Sequence, residues 1–346
     1  MAGPSTPRLQ VPGLSTLLFV RLPDVWAHFR TYALYRLECG LRSSAVLGFV
    51  GLPTLGFHLE TAFRQGQYSE VSALLILFYV IIASQRLWAR RLLFPVYLIG
   101  AALVLPWSAH ISGANIIRFL TVDIVPFPLR DGAGVSGLID WLWMLTSTQA
   151  VPGTIATIQL TMIALFATGL LAALMFPFIS PQMFGRPVRG MSHLALVVIR
   201  STPEYILAFV FLQLWGPSML PAIVALALHN GSIIGHLIGR HTETLTLRAD
   251  ASTGLNRYAY ELLPRVYRSL LALLFYRWEV IMRETAILGI LGIATLGFYV
   301  DSAFAELRFD RAVLLIALTA VLNIVIDVTS RRVRAYLRLR TTLEGR

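Results

Sequence analysis

Residues 35–63 read YRLECGLRSSAVLGFVGLPTLGFHLETAF, and residues 276–304 read YRWEVIMRETAILGILGIATLGFYVDSAF. Set side by side without a gap, 14 of the 29 pairs are identical, and the shared letters include Arg, Glu and a spaced set of glycines. A hydrophobic background alone does not produce that agreement. The same offset of 241 residues places Gly13-Leu14 on Gly254-Leu255, Leu22-Pro23 on Leu263-Pro264, and Arg90-Arg91 on Arg331-Arg332. One structural unit is therefore present twice, in unequal copies. Residues 1–91 correspond to the C-terminal third of a unit, and residues 92–346 make a complete one.

The chain has 346 residues, 56% hydrophobic and 14% charged, with a mean hydropathy of +0.70. Soluble domains carry about 25% charged residues, so the expectation is an all-α polytopic membrane protein. A span needs about 20 apolar residues. Runs at 25–59, 71–84, 92–107, 153–179, 194–215, 217–239, 266–298 and 312–328 predict about eight passes. Residues 1–13 are rich in Pro and Gly, and the run 14–20 is too short for a signal peptide. Leu17, Leu18 and Phe19 read as part of a surface-lying or coupling segment.

The formal net charge is +11, and every Lys-or-Arg position is Arg. These arginines gather at the ends of apolar runs: Arg86, Arg90 and Arg91; Arg186 and Arg189; and Arg331, Arg332, Arg334, Arg338 and Arg340. That is a membrane-topology signal. A nucleic-acid face would need a soluble domain with interleaved readers, and none is present. The pattern puts the turns near 86–91, 186–189 and 241–265, and the C-terminus, in the cytoplasm, with 108–150 outside. The single Cys39 allows no internal disulfide and no cysteine metal site.

Segment 241–265 reads HTETLTLRADASTGLNRYAYELLPR. It holds an amphipathic stretch (Leu245, Leu247, Ala249), small residues from Ala251 to Gly254, and a closing Leu263-Pro264. Pro264 lacks an amide donor and marks a break before the next span. Alone, the segment reads equally well as an ordinary connection. Its neighbours add to it. Arg200-Ser201-Thr202-Pro203-Glu204 opens a helix, with Thr202 as cap, Pro203 at the first position and Glu204 on the dipole. Ala227-Leu228-His229 follows with Gly235, then Arg277, Glu279 and Arg283, then Leu288, Gly289 and Gly292.

In this order the motifs resemble those of phosphonate-type permeases of ABC importers, the binding-protein-dependent components of the inner membrane. That branch shows Arg-Ser-x-Pro-Glu, Ala-Leu-His with a later Gly, Arg-x-Glu-x-x-x-Arg and Leu-Gly-x-x-Gly, all matched between 150 and 340. Arg36, Glu38, Arg42, Gly48 and Gly51 repeat the last two in the first copy. The resemblance implies an ABC importer type I-like bundle of about six helices per unit. It implies a transmembrane permease subunit importing phosphonates or related phosphorus oxyanions, and no enzyme.

The resemblance also makes 241–264 the coupling loop, whose short helix docks on a dimer of ABC ATPases. Its positions here are Arg248, Ala249, Ala251, Gly254, Leu263 and Pro264. The family's Glu falls on Leu245 and its Gly on Ala251, so the match is degenerate. ATP and Mg belong to the partner ATPase, and this chain carries no cofactor. A periplasmic substrate-binding protein is expected on the outer loops, including 108–150 and 299–311. A second permease unit completes the path. The unequal repeat fits a fused two-unit permease cut short, a split one completed by a separate chain, or a homodimer.

Glu279 and Arg283 stand four apart, the favourable order for a helical ion pair. Arg277, Arg283 and His229 either line the anion path or serve the packing of charged helices. Gly289, Gly292 and Gly297, with Gly48, Gly51 and Gly56, allow close helix approach or a broken helix. His229 and His236 share a helix face, but no carboxylate joins them at metal-ligand spacing, so no metal is expected. There is no His-Glu-x-x-His, no Gly-x-Ser-x-Gly and no Walker lysine. Trp141 and Trp143 read as an interfacial belt. The other readings are a permease for another small solute, an inactive remnant, a channel or a membrane enzyme.

Overall fold

The computed structural model describes residues 40, 52–88, 93–104, 112–216, 218–248, 250–289, 292–337 and 339. Outside them lie the segment 14–20, most of the run 25–59, Arg36, Glu38, Arg42, Gly48 and Gly51 of the first copy, Arg90 and Arg91, Ala249, Arg338 and Arg340. The described residues are helical and contain no strand. The chain divides into two compact units, 1–107 and 108–346. In the first lie α1 (Leu55–Arg64), α2 (Tyr68–Ala83) and α3 (Phe94–Val104). The second contains α4 (Gly134–Leu145), α5 (Val151–Ile179), α6 (Arg186–Ser201), α7 (Glu204–Trp215), α8 (Met219–His241), α9 (Leu263–Leu288), α10 (Leu296–Ala305) and α11 (Phe309–Tyr336).

The repeat in the letters is also a repeat in local structure. Helices α1 and α10 begin and end 241 residues apart, and α2 and α11 begin at the same offset. Thr54 and Thr295 are extended before them, at φ −108°, ψ 171° and φ −89°, ψ 176°. At the far ends the amides of Gln65 and Glu306 donate to the carbonyls of Thr61 and Ser302, at 3.0 and 2.9 Å.

Helices α5 and α8 make the most extensive contact in the second unit. Gly231, Gly235 and Gly239 recur every fourth residue on one face of α8. A Cβ added to them would lie 3.1 Å from Leu171 Cβ, 3.2 Å from Met175 Cβ and 2.8 Å from Ile179 Cβ. Small residues at this spacing let two helix backbones approach closely. Beside the stripe, Phe176, Ile234, Ile238 and Leu262 form a fully buried cluster.

Four expectations change. First, 108–150 is not simply a connection: Gly134–Ile179 is one helix of 46 residues, with a π turn at Thr146–Ala150. At 1.5 Å per residue it is about 69 Å long, more than twice a hydrocarbon core of about 30 Å. Trp141 is buried on it, whereas Trp143 is 75% exposed. Second, 194–215 is not one straight span, because α6 and α7 meet at 94°. Pro203 has no amide for α6 to use, and it pushes Thr202 into an extended conformation (φ −74°, ψ 124°). Thr202 does not cap α7; its hydroxyl donates back to the Val198 carbonyl at 2.9 Å, and Pro203 takes the cap position.

Third, Pro264 does not break the chain. A π turn at Arg257–Leu262 runs directly into α9, and Pro264, which has no amide hydrogen, falls where the helix changes from π to α hydrogen bonding. Fourth, the break in 266–298 falls between Leu288 and Leu296. A Cβ on Gly297 would overlap the Ala286 carbonyl, and one on Gly289 would meet the Phe298 amide. Gly292 between them has φ +83°. Close approach and helix break therefore coincide here. The Leu296 amide donates to Thr157 Oγ1 at 2.9 Å, fastening the start of α10 to α5.

Among the described residues three helices are long and apolar enough to cross a membrane: Gly134–Ile179, Met219–Thr244 and Phe309–Tyr336. The bent pair α6–α7 adds a fourth if it counts as one span, and shorter apolar helices lie at Tyr68–Ile81 and Pro95–Val104. The chain is a multi-pass membrane protein. Helix α9 has the length but carries Arg277, Glu279, Arg283 and Glu284 in its second half.

Candidate functional site

The bend between α6 and α7 delivers Glu204 to the first turn of α7, beside the middle of α8 and the charged half of α9. His229 Nδ1 lies 2.9 Å from the Thr202 carbonyl. A carbonyl only accepts, so Nδ1 bears the hydrogen, and Nε2 faces Glu204 Oε2 at 3.9 Å. The next residue, Asn230, is fully buried. Its Nδ2 donates to Glu284 Oε2 at 2.8 Å and to the Leu226 carbonyl at 3.1 Å. Its Oδ1 accepts from Arg277 Nη1 at 3.3 Å. One amide thus links a cation and a carboxylate two turns apart on α9.

Of the residues named from sequence, His229 and Arg277 belong to this cluster. Glu279 and Arg283 form their own pair at 3.1 Å, with the Arg283 side chain 60% exposed. Gly289 and Gly292 lie in the break after α9. No motif in the sequence points to Glu284, and Glu204 stands out there only for its place on a helix dipole. The sequence does hold a signal for Glu284. It aligns with Ser43, so within residues 276–304 it is the acidic residue that has no acidic counterpart in residues 35–63. No carboxylate joins His229 and His236 along the sequence, but the fold brings Glu204 and Glu284 to His229 from two other helices. His236, seven residues on, instead faces His193, with ring centroids 4.9 Å apart.

The segment after α8 is extended in its first half and helical in its second. Leu245 and Leu247 pack onto the core while Thr246 and Arg248 stay exposed, so 245–248 runs extended. Helical turns start only at 255. Two arginines hold the segment. Arg257 donates to the Gln182 carbonyl and the Ser252 carbonyl, each at 2.7 Å. Arg265 donates to the Thr246 carbonyl at 2.6 Å and pairs with Glu261 at 2.5 Å. The Tyr258 hydroxyl donates to the Ala173 carbonyl at 3.1 Å, and burial pushes that phenol above its ordinary value, which keeps it a donor. The Ala251 amide donates to the Arg248 carbonyl at 3.1 Å, and Gly254 turns at φ +65°. Leu263 packs on the core, and Pro264 is exposed. Leu255 and Tyr260 project, 82% and 77% exposed.

No protein-family model matches the chain. The phosphate-import permease protein PhnE of Mycolicibacterium smegmatis is 26% identical over 355 aligned positions, covering 93% of this chain. The phosphite transport system permease protein PtxC of Stutzerimonas stutzeri is 26% identical over 196, covering 54% of this chain and 68% of its own length. Its curated relatives are permease proteins of phosphorus-oxyanion transport. This chain spans 64% of the length of the Mycolicibacterium smegmatis permease. Among solved structures, the MetNI methionine ABC transporter in inward-facing form overlies 54% of this chain and 95% of the matched one, with a TM-score of 0.46 and 16% identity.

Proposed function

We propose that this chain is the transmembrane permease subunit of an ABC importer for phosphonates or related phosphorus oxyanions, driven by separate ATPase subunits. The observation that carries the reading is the relatedness to oxyanion permeases along 93% of the chain. Residues 1–91 act as the C-terminal third of a first permease unit and 92–346 as a complete one. The protein resides in a bacterial inner membrane with its C-terminus in the cytoplasm.

Segment 241–264 takes the push of an ABC ATPase dimer, which binds ATP and Mg. Leu255 and Tyr260 offer that partner an exposed apolar contact. Tyr258 ties the contact to α5, Arg257 ties it to Gln182 in the turn after α5, and Arg265 ties it to α9, so movement of the ATPase is delivered to the start of α9 and along it to Arg277 and Glu284. A periplasmic substrate-binding protein delivers the anion from outside, and a second permease unit closes the path, to which Arg277, Arg283 and His229 contribute. The chain performs no chemistry of its own.

The test is uptake in a host stripped of its own phosphonate and phosphite importers. The chain is expressed with an ATPase and a binding protein of the same system, and with a lysine-dead ATPase as control. ATPase-dependent growth on methylphosphonate or phosphite as the phosphorus source is expected. Uptake that persists with the dead ATPase would mark a channel. Copurification of the ATPase without uptake of any phosphorus oxyanion would mark a permease for another solute or an inactive remnant.

A further inference from the structure

Two carboxylates and an imidazole, from three different helices, converge inside the second unit. The ligand atoms of Glu204, His229 and Glu284 all lie within 4.8 Å of one another. His229 is 4% exposed, and the Glu204 side chain is 16% exposed. Carboxylates this close, away from bulk water, repel unless a cation or a proton lies between them. The 3.9 Å from His229 Nε2 to Glu204 Oε2 is too long for a hydrogen bond. It does suit two atoms that each stand about 2.0–2.2 Å from a shared ion, which fall about 3–4 Å apart.

The supports behind the ligands point the same way. Metal-bound imidazoles donate their far N–H to a carbonyl or carboxylate, which fixes the ring and its tautomer. His229 does this through Nδ1 to the Thr202 carbonyl, a group made available by the end of α6. Glu284 is held by Asn230 Nδ2, and Asn230 is held in turn by Arg277. These supports come from outside the ligand set.

We propose that Glu204, His229 and Glu284 bind a divalent first-row transition metal, of the class of Zn2+ or Mn2+, which clamps α7, α8 and α9 together beside the bend at Thr202-Pro203. Two carboxylate oxygens with one imidazole nitrogen suit these ions. Mg2+ and Ca2+ favour all-oxygen shells of about six or more ligands. The ion offsets the charge of both carboxylates and holds the half-helix α7 against the two helices it meets.

The test uses the full-length chain, purified in detergent with its affinity tag removed. It is stripped with a chelator, loaded with Zn2+ or with Mn2+, desalted, and its metal content measured by mass spectrometry. About one equivalent per chain is expected, at least about tenfold less for Glu284→Gln and His229→Gln, and no change for Glu306→Gln. If Glu284→Gln does not purify as a monodisperse protein, Glu204→Gln replaces it. A chelator should also lower the thermal midpoint of the wild-type chain and leave that of His229→Gln where it is. Less than about a tenth of an equivalent on the wild type with either ion, or equal occupancy in wild type and variants, overturns the proposal; the carboxylates then share a proton instead.

Discussion

Leu307 occupies the position that Gly66 holds in the first copy, and both turn the chain through a left-handed conformation, at φ +56° and φ +71°. The hydrogen bonds around them agree as well. The Gly66 and Leu307 amides each donate at 3.0 Å to the residue three before, and Gln67 and Arg308 donate to Ala62 and Ala303 at 2.9 and 2.8 Å. A side chain with a Cβ costs about 1–2 kcal/mol in this conformation. Glycine avoids that cost but loses about 0.5–1 kcal/mol through its freer unfolded chain. Leu307 is 73% exposed, so little packing is lost on its removal. Leu307→Gly should therefore stabilise the protein by about 0.5–1 kcal/mol, read as a higher thermal midpoint in detergent. A lower midpoint would show that the leucine side chain has a contact worth more than the strain.

Two glycines in the break after α9 should behave differently under the same change. Gly292→Ala meets open space and bears only the left-handed backbone cost, about 1 kcal/mol. Gly297→Ala drives a methyl group into the Ala286 carbonyl, and overpacking of this kind costs about 1–3 kcal/mol. Thermal midpoints of the two variants, measured together, should fall in that order. The reverse order would mean the α9–α10 junction opens readily.

Leu255 and Tyr260 form an exposed apolar crest on segment 241–264. Leu255→Asp and Tyr260→Ala remove apolar surface that is mostly exposed among the described residues, so stability should move by less than about 0.5 kcal/mol. Recovery of the ATPase on the purified permease should fall about tenfold, a loss of about 1.4 kcal/mol of binding. Unchanged recovery would place the ATPase contact elsewhere.

The Glu279–Arg283 pair separates path from packing. Half-exposed pairs four apart contribute about 0.3–0.5 kcal/mol, so Arg283→Ala should leave the thermal midpoint nearly unmoved while uptake drops at least about tenfold. The exchange Glu279→Arg with Arg283→Glu restores the pair but not the position of the cation. Full recovery of uptake in that double variant would assign the pair to helix orientation alone.

Much of this protein was written in the order of its letters. The repeat offset fixed where α1 and α10, and α2 and α11, would start, because Thr54 and Thr295 and the residues after them face the same local sterics. The apolar runs marked the α5, α8 and α11 spans, because a helix that satisfies its own backbone is the structure such runs adopt in lipid. The alternation Leu245, Leu247 carried an extended periodicity, and helical turns begin only at residue 255. What the sequence did not disclose was which side chains meet. Pro203 signalled a helix start, but the 94° bend that carries Glu204 to His229 depends on how α6 and α7 pack against α8. Glu284 and Asn230 are 54 residues apart and share no motif. They touch because the Gly231–Gly235–Gly239 stripe draws α8 against α5 and leaves its adjacent face to α9. Local propensity is set by a few neighbouring residues, whereas a buried polar cluster is set by three helices whose closeness no single stretch of sequence encodes.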